Sequence, residues 1–294
     1  MKNKRLLLLL PFIALASCNE SVSYYPKELD PNTTYDDVYL IMGQSNASGV
    51  SQHIYLKDNE PELYQKYTDG NSKILISYDT DERIQKDFVP TKFGFGNTDE
   101  FFGPEIGIAD VLSQKEATQY IIKATYSGSC LQTQYVNSNG TKFKFYNRFI
   151  AFIKEQLEAL EKDNKYPRIR GLFWMQGESD SCLGNTKKYQ KAEQYFYEYL
   201  RHDLNDWIYE YFNFVDAYIY TRGTVWVDPK TINDCKQRFA DNNEHCYCIK
   251  TNGEDETAIK LYIKSETGEA EDSAHYDSKS MVLLGKAAGQ FLLK

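Results

Sequence analysis

The sequence lacks the features of a multispanning membrane protein and of a nucleic-acid-binding protein. Only one hydrophobic run is long, and it lies at the very start of the 294 residues, so a chain that crosses a membrane many times is excluded. The formal charge is −8, whereas binding to nucleic-acid phosphates needs a basic surface, so nucleic acid is not an expected partner. Hydrophobic residues make up 41% of the chain and charged residues 26%, which is typical of a globular protein with a buried core.

The sequence is also poor in histidine and in metal-binding motifs. It has four histidines and six cysteines, and the cysteine spacings include neither a pair of Cys-x-x-Cys motifs nor an accompanying histidine pair, so no zinc site is predicted. No internal repeat is visible, and no linker rich in glycine, serine or proline divides the chain after residue 37. We therefore predict one domain at residues 37–294.

The N-terminal segment has the pattern of a secretion signal. Residues 1–5 carry three positive charges, and residues 6–16 are apolar but too few to span a bilayer. The run ends in Leu-Ala-Ser followed by Cys18, which resembles a bacterial lipobox. We predict a signal peptide at 1–17, followed by lipidated Cys18 and a polar tether at 18–36. The lipid would anchor the protein outside the cytoplasm, to a bacterial membrane or cell surface. The alternative is an ordinary cleaved signal with a chance cysteine.

Buried strands alternate with helical patterns along the rest of the chain. Strands are predicted at 38–42, 73–78, 120–124, 169–175, 214–220 and 246–250. Helices are predicted at 104–112, 145–162, 187–211, 232–242 and 281–293. This alternation is typical of a parallel sheet with helices on both faces. Two polar, turn-rich stretches, 51–100 and 251–272, fit the alternation poorly and are interpreted as insertions near the functional site.

Two separate positions predict a nucleophile and its base. Ser45 follows the first predicted strand within Gly43-Gln44-Ser45-Asn46, where a hydroxyl would face the crevice at the end of the sheet. His275 has a carboxylate three residues ahead, Asp272, which can reach imidazole Nδ1 and fix the tautomer. The alternatives are a helix N-cap for Ser45 and a turn contact without a catalytic role for Asp272.

Two further strands are expected to end in polar or small residues. The strand at 169–175 runs into Gln176-Gly177-Glu178-Ser179-Asp180, which would place an amide and two carboxylates at the crevice. The strand at 120–124 runs into a loop in which Gly128 could offer a backbone N–H to a developing oxyanion. The alternatives are a helix-capping sequence for the first segment and a plain turn for the second.

Five segments in this order carry a resemblance to a known family. They are Gly43-Gln44-Ser45-Asn46, Gly103-Pro104-Glu105, the loop from Lys123 to Ser129, the block from Trp174 to Asp180, and Asp272 with His275. Together they resemble the SGNH hydrolases of the sialate O-acetylesterase and acetylxylan esterase group, carbohydrate esterase family six. The resemblance spans residues 37–294. It implies an α/β fold, a flavodoxin-like three-layer α/β/α sandwich with a central parallel sheet, and a serine esterase that needs no metal or other cofactor.

The resemblance also implies a role for each site residue. Ser45 would be the nucleophile, His275 the base and Asp272 the acid that orients it. The oxyanion hole would comprise the backbone N–H groups of Ser45 and Gly128 and the side chain of Gln176. Supporting residues would be Gln44, Asn46 and Glu178, the last either structural or orienting His275. The sequence departs from the family at Ser127, often a second glycine, and at Met175, often histidine, which would bear on the oxyanion hole and the pocket wall.

The implied activity is removal of O-acetyl groups from a carbohydrate, either an acetylated glycan or sialic acid, through an acyl-enzyme. One alternative is a non-catalytic glycan-binding surface lipoprotein, and another is a general short-chain, lipase-type esterase. The Gln176-Gly177-Glu178 block favours the carbohydrate branch. The expected partners are an acetylated carbohydrate and, through lipidated Cys18, a membrane, and we expect a monomer. Tyr126, Tyr135 and Tyr276 neighbour the site in sequence, and a few such rings could contact a sugar.

Cleavage before Cys18 would remove three positive charges, which makes the mature chain −11, and would leave five other cysteines. An odd number cannot all pair within one chain. A local bridge from Cys235 to Cys246 or Cys248 is plausible in an oxidising compartment. In the implied fold, Cys130 and Cys182 follow two active-site loops, so a bridge between them would join those loops.

Overall fold

The computed structural model describes residues 27–81, 83–184 and 186–294. The predicted signal peptide, Cys18 and the tether up to residue 26 lie outside the described residues. The last part of the predicted tether contacts the domain: Lys27 pairs with Asp206 at 3.0 Å, and the Tyr35 ring lies 4.8 Å from that of Tyr209. Within the described ranges, no helix is long and apolar enough to cross a membrane.

The centre of the molecule is a seven-stranded sheet. The strands in chain order are β1 (Asp36–Gly43), β2 (Ser51–Gln52), β3 (Asn71–Thr80), β4 (Arg83–Thr91), β5 (Phe101–Phe102), β6 (Gln119–Thr125), β7 (Pro167–Met175), β8 (Ile208–Ala217) and β9 (Cys246–Ile249). The sheet order is β4-β3-β6-β1-β7-β8-β9, in which only the β3–β4 pair is antiparallel, and β2 pairs with β5 separately. Residues 38–42 are fully buried, as expected for a central parallel strand covered on both faces.

Helices cover both faces of this sheet. They are α1 (Ser45–Ser48), α2 (Leu56–Asn59), α3 (Pro61–Asp69), α4 (Glu105–Leu112), α5 (Lys144–Lys162), α6 (Glu178–Ser181), α7 (Tyr189–Asp203), α8 (Pro229–Asn242), α9 (Lys264–Thr267) and α10 (Ser278–Leu292). Side chains alternate across β7, so Trp174 packs on Phe196 of α7 while Gly171 faces Leu292 of α10. The predicted α/β sandwich with a mostly parallel central sheet is confirmed.

One predicted helix extends too far. The helix predicted at 187–211 ends at Asp203, and the chain then passes through a short 3-10 turn into β8 at Ile208. The strand predicted at 214–220 therefore begins six residues earlier and ends at Ala217. Aromatic residues run through this boundary without a break, and periodicity alone cannot separate a buried helix from a buried strand over so short a distance.

The stretch 51–100, interpreted as an insertion, contributes two strands to the sheet: β3, which contains the strand predicted at 73–78, and β4, for which no strand is predicted. β3 lies beside β6, and β4 forms the antiparallel edge. Residues 83–90 of β4 are half-buried or exposed, so its sequence is polar and resembles a loop. The remainder does reach the crevice, since the backbone N–H of Asn97 donates to Gly49 O at 2.9 Å, just after α1.

The five cysteines of the described chain are free thiols, so neither predicted bridge is present. Cys235 Sγ lies 3.8 Å from Thr186 O, in the short 3-10 turn before α7, instead of pairing with a cysteine of β9. Burial raises the pKa of Cys130 to about 11 and of Cys246 to about 12, which disfavours the thiolate that disulfide exchange requires.

Candidate active site

Three neighbouring strands end at one edge of the sheet, and each is followed by a polar segment. β1 lies between β6 and β7, at the point where the chain order of the strands reverses, which is where open α/β sheets bind ligands. Gly43 ends β1 with φ +143, and a Cβ there would lie 2.0 Å from Met175 O. Glycine is therefore required for the chain to turn against β7 and begin α1 at Ser45.

The structure brings Ser45, His275 and Asp272 together from positions 230 residues apart. Ser45 Oγ lies 2.9 Å from His275 Nε2, and His275 Nδ1 lies 2.9 Å from Asp272 Oδ2. Asp272 Oδ1 also accepts the backbone N–H groups of Ala274 and His275, at 3.0 and 3.2 Å. This arrangement matches that of a serine nucleophile with a base and an orienting carboxylate.

Lys264 belongs to the same cluster, although no sequence signal pointed to it. Its Nζ lies 3.3 Å from Asp272 Oδ2, and its backbone N–H donates to His275 O at 3.0 Å. Burial favours the neutral form of Asp272, but the Ala274 N–H, His275 and Lys264 outweigh this effect and lower the pKa of Asp272. The carboxylate is therefore held in its charged form beside the imidazole.

The segments that follow β1 and β6 each offer one open backbone N–H donor. Ser45 begins α1, so its N–H has no partner in the preceding turn, and Gly128 stands with φ +68 in an exposed loop after β6. Neither N–H has an acceptor within the portion of the chain that the structure covers. The neighbouring N–H of Ser127 is occupied, because it donates to Asp81 Oδ1 at 2.7 Å. Gly128 is thus the open donor of this loop.

Gln176 does not present an open donor, contrary to the role that the resemblance implied. The residue is fully buried, and Nε2 lies 2.7 Å from Asp180 Oδ2, 3.0 Å from Ser129 O and 3.1 Å from Gln44 Oε1. An amide nitrogen has two hydrogens, so three acceptors leave none for a ligand. Gln176 instead ties the segment after β7 to Ser129, next to Gly128, and to Gln44, next to Ser45.

Hydrogen bonds hold the segment around Ser45 in place, and they are made by Gln44, Asn46 and Glu178. Gln44 Oε1 accepts the N–H of Ser179 at 3.2 Å in addition to the Gln176 amide. Asn46 Nδ2 donates to Glu178 Oε1 at 2.9 Å, and Asn46 Oδ1 accepts the N–H of Tyr276 at 3.3 Å. Glu178 thus reaches the residue after His275 through Asn46.

The charge state of Glu178 is set mainly by burial. Burial raises its pKa, while the Asn46 amide and the charges of Lys236 and His275 act in the opposite direction. Its Oε2 has no hydrogen-bond partner among the described residues. A buried oxygen without a partner favours the protonated carboxyl over the carboxylate.

Other residues that the sequence placed near the site lie inside the core. Tyr135 and Tyr276 are fully buried, which leaves half-buried Tyr126 as the accessible ring of the three. Tyr135 Oη instead supports the turn after β1, donating to Gly43 O at 3.1 Å. Met175 is fully buried as well, so its side chain does not form the pocket wall. In the described ranges no group of three or more histidine, cysteine or acidic side chains could hold a metal ion.

Comparisons with known proteins bear on the family and the fold of the chain. The family model described as "Carbohydrate esterase, sialic acid-specific acetylesterase" matches residues 35–294, whereas no curated protein sequence matches the chain. A solved structure from Arabidopsis thaliana is similar with a TM-score of 0.64 at 17% identity, covering 88% of this chain and 98% of that one. NanS is similar with a TM-score of 0.60 at 15% identity, covering 88% and 97%. A novel carbohydrate acetylesterase from Xanthomonas citri reaches 0.51 at 14% identity, covering 79% and 54%. At these identities the structural likeness establishes the fold.

Proposed function

The chain belongs to the carbohydrate esterase family of sialic acid-specific acetylesterases, and we propose that it removes O-acetyl groups from a carbohydrate through Ser45, His275 and Asp272. The observation that carries this proposal is the continuous chain of hydrogen-bond contacts from Ser45 Oγ through the His275 ring to Asp272. A hydroxyl is a weak nucleophile alone, and a base within hydrogen-bond distance makes it reactive.

In the first step, Ser45 Oγ attacks the carbonyl carbon of the acetyl group. Its proton passes to His275 Nε2, and Asp272 stabilises the imidazolium that forms. The bond between the carbonyl carbon and the sugar oxygen then breaks, and His275 returns the proton to that oxygen. The products are the free sugar hydroxyl and an acetylated Ser45.

The negative oxygen of the tetrahedral intermediate needs donors that are already in place. The open N–H groups of Ser45 and Gly128 supply them, and Gln176 holds the two segments that carry these groups. In the second step a water molecule gives a proton to His275 and attacks the acetyl carbon. The bond between that carbon and Ser45 Oγ then breaks, His275 returns the proton to Oγ, and the acetic acid that leaves ionises to acetate.

The experiment that tests this proposal is acetate release across a panel of acetylated sialic acids, acetylated xylan and longer acyl esters. We expect the wild-type protein to act on acetylated carbohydrate in preference to longer acyl chains, and Ser45→Ala to release no acetate. Ser48→Ala is the matched control, because Ser48 lies on the same helix and its Oγ has no hydrogen-bond partner among the described residues. A fluorophosphonate should label Ser45 in the wild-type protein. Acetate release at the wild-type rate by Ser45→Ala would overturn the assignment, and absence of both labelling and turnover would favour a glycan-binding protein.

The proposal extends to where the enzyme acts. The charge pattern of residues 1–17 and the Leu-Ala-Ser-Cys18 sequence support a lipid-anchored protein outside the cytoplasm. Bacterial expression of the full chain, followed by membrane fractionation, tests this: Cys18→Ala should move activity to the soluble fraction. Cys182→Ala, which removes an exposed thiol of the domain, should leave it membrane-bound. Equal fractionation of all three proteins would contradict the anchor.

A further inference from the structure

Ser127, the residue before Gly128, is held by two segments that are distant in sequence. Its backbone N–H donates to Asp81 Oδ1 at 2.7 Å and its Oγ donates to Asp81 Oδ2 at 3.1 Å, over a separation of 46 residues. Asn97 Nδ2 donates to the same Oγ at 3.0 Å from 30 residues away. Both the main chain and the side chain of Ser127 are therefore fixed. A glycine here, which the family often has, would lose both side-chain bonds.

We propose that Asp81 and Asn97 are positioning residues that hold Ser127 so that the N–H of Gly128 points at the carbonyl oxygen of the substrate. This inference rests on the proposed function, because it assumes that Gly128 is an oxyanion donor. Neither residue touches the reacting atoms. Each acts through Ser127, and we refer to Asp81, Asn97 and Ser127 together as the loop clamp.

Asp81 is well suited to hold a loop because its own backbone is fixed. It occupies the turn between β3 and β4 with φ +54, a left-handed conformation that aspartate adopts more readily than most residues. Its N–H donates to Thr125 O at 3.1 Å, and its own carbonyl accepts Arg148 Nη2 at 3.0 Å. The β3–β4 hairpin is thereby joined to the end of β6, from which the Gly128 loop emerges.

Asn97 connects the loop clamp to the helix that carries Ser45. Its backbone N–H donates to Gly49 O at 2.9 Å, and Gly49 N donates to Ser45 O at 2.8 Å. The same residue thus contacts both sides of the oxyanion hole: the end of α1 through its backbone and Ser127 through its side chain. This link fixes the distance between the two proposed donors, the N–H groups of Ser45 and Gly128. That distance must be correct to a fraction of an ångström.

The charge of Asp81 argues for a positioning role over a chemical one. A carboxylate near the oxyanion would oppose the negative charge that develops there, so it is useful only for its geometry. Two donors from Ser127 occupy its oxygens, and neighbouring Asp79 is paired with Arg148. A neutral side chain of the same shape should therefore serve nearly as well.

The test compares Asp81→Ala with Asp81→Asn. We expect Asp81→Ala to lower kcat about 10- to 100-fold with KM within about twofold of wild type, because a misplaced donor weakens the transition state more than substrate binding. Asp81→Asn keeps an acceptor for the Ser127 N–H and should retain at least about a third of the wild-type kcat. Asp87→Ala, an exposed aspartate of the same hairpin, is the matched control. Wild-type kcat in Asp81→Ala, or equal losses in Asp81→Ala and Asp81→Asn, would overturn the proposal.

A second measurement separates donor placement from general damage to the fold. The kcat/KM ratio of an aryl acetate to its thionoacetate counterpart reports hydrogen bonding to the carbonyl oxygen, because sulfur is a poorer acceptor. The ratio should fall in Asp81→Ala, Asn97→Ala and Ser127→Gly, and stay at the wild-type value in Asp87→Ala. An unchanged ratio in Ser127→Gly would contradict the loop clamp even if Asp81→Ala fails to fold. If Ser45→Ala retains turnover, the proposed function itself fails; if Ser45→Ala is inactive while the ratio is unchanged, only the loop clamp is wrong.

Discussion

The two sides of Ser45 are built in different ways. On the histidine side, Asp272 fixes His275 from three residues away, and its other oxygen accepts two backbone N–H groups of the same turn. On the oxyanion side, Ser127 is fixed by Asp81 and Asn97, from 46 and 30 residues away. The histidine side is a local turn that a short motif specifies. The oxyanion side instead depends on contacts among a hairpin, a loop and a strand. We therefore expect changes on the histidine side to act on proton transfer, and changes on the oxyanion side to act on donor geometry.

The largest expected effect is on the histidine side. Asp272→Asn should lower kcat about 10⁴-fold, as the equivalent change does in a serine protease, because the amide favours the wrong imidazole tautomer. KM should change little, since Asp272 is expected to act through His275. Steady-state kinetics on an acetylated sugar would measure this, with the exposed neighbour Glu271→Gln as the control. An activity within tenfold of wild type would mean that Asp272 does not orient the base.

Gln176→Ala should affect the oxyanion side and the fold together. Loss of the amide leaves Asp180, Gln44 and Ser129 O short of a buried donor, at about 1–3 kcal/mol for an unsatisfied group. We expect the melting temperature to fall by several degrees, since about 1 kcal/mol corresponds to about 2–4 °C for a domain of this size. We also expect kcat to fall by about tenfold. Thermal unfolding and kinetics together decide the matter. A 10²- to 10³-fold loss of kcat at an unchanged melting temperature would instead restore Gln176 as an oxyanion donor.

Lys264→Met should change the pH dependence of the histidine side. Lys264 helps to lower the pKa of Asp272, so without it the pKa of this carboxyl rises and Asp272 is protonated at a higher pH. The acid limb of the kcat/KM profile should move to higher pH, while the plateau changes by less than about tenfold. Lys279→Met, which changes an exposed lysine in the first turn of α10, provides the control. A shift of the acid limb to lower pH would show that this sign is wrong.

The smallest effect on activity is expected for Glu178→Gln, because Glu178 belongs to neither the histidine side nor the oxyanion side. Burial raises the pKa of Glu178 in the folded protein, so its contribution to stability is full below the unfolded pKa and is lost as the pH rises through the folded pKa. Glutamine removes this loss. The variant should therefore gain stability relative to wild type between about pH 4.5 and neutrality, with kcat within about threefold. The difference in melting temperature between the variant and wild type, measured across this range, tests the prediction. A difference that becomes smaller as the pH rises would contradict the raised pKa of Glu178.

The histidine side could be predicted from the sequence because its information is local. A serine directly after a buried strand, and an aspartate three residues before a histidine, are readable as patterns, and the predicted family is confirmed. Lys264 could not be predicted, because it lies in a polar stretch and reaches Asp272 only when residues 263–265 pair with the turn before α10. The block around Gln176 is readable as a motif. The direction in which the Gln176 amide points, however, depends on the tertiary positions of Ser129, Asp180 and Gln44.

The oxyanion side and the sheet edges show the limit of pattern reasoning. β4 is polar because it forms an exposed edge, so its residues resemble those of a loop, and the clamp residue Asp81 lies at the turn that precedes it. The boundary between α7 and β8 cannot be read from the sequence, because aromatic residues continue through it. The chain has 24 tyrosines, and packing accounts for two of those near the site: Tyr135 and Tyr189 are buried, and the latter donates to Gln176 Oε1 at 3.0 Å.

By itself, the sequence determined most of the central strands and the long helices, because apolar runs, the glycine at position 43 and the Asp-x-x-His spacing constrain the backbone within a few residues. It therefore determined the α/β class and the local turn that orients His275. Only the tertiary structure decided which atoms meet. The order of strands brings the ends of β6, β1 and β7 together, and contacts across 30, 46 and 230 residues hold Ser127 and bring His275 to Ser45. Such contacts depend on the packing of the whole sheet, and no short pattern in the chain encodes them.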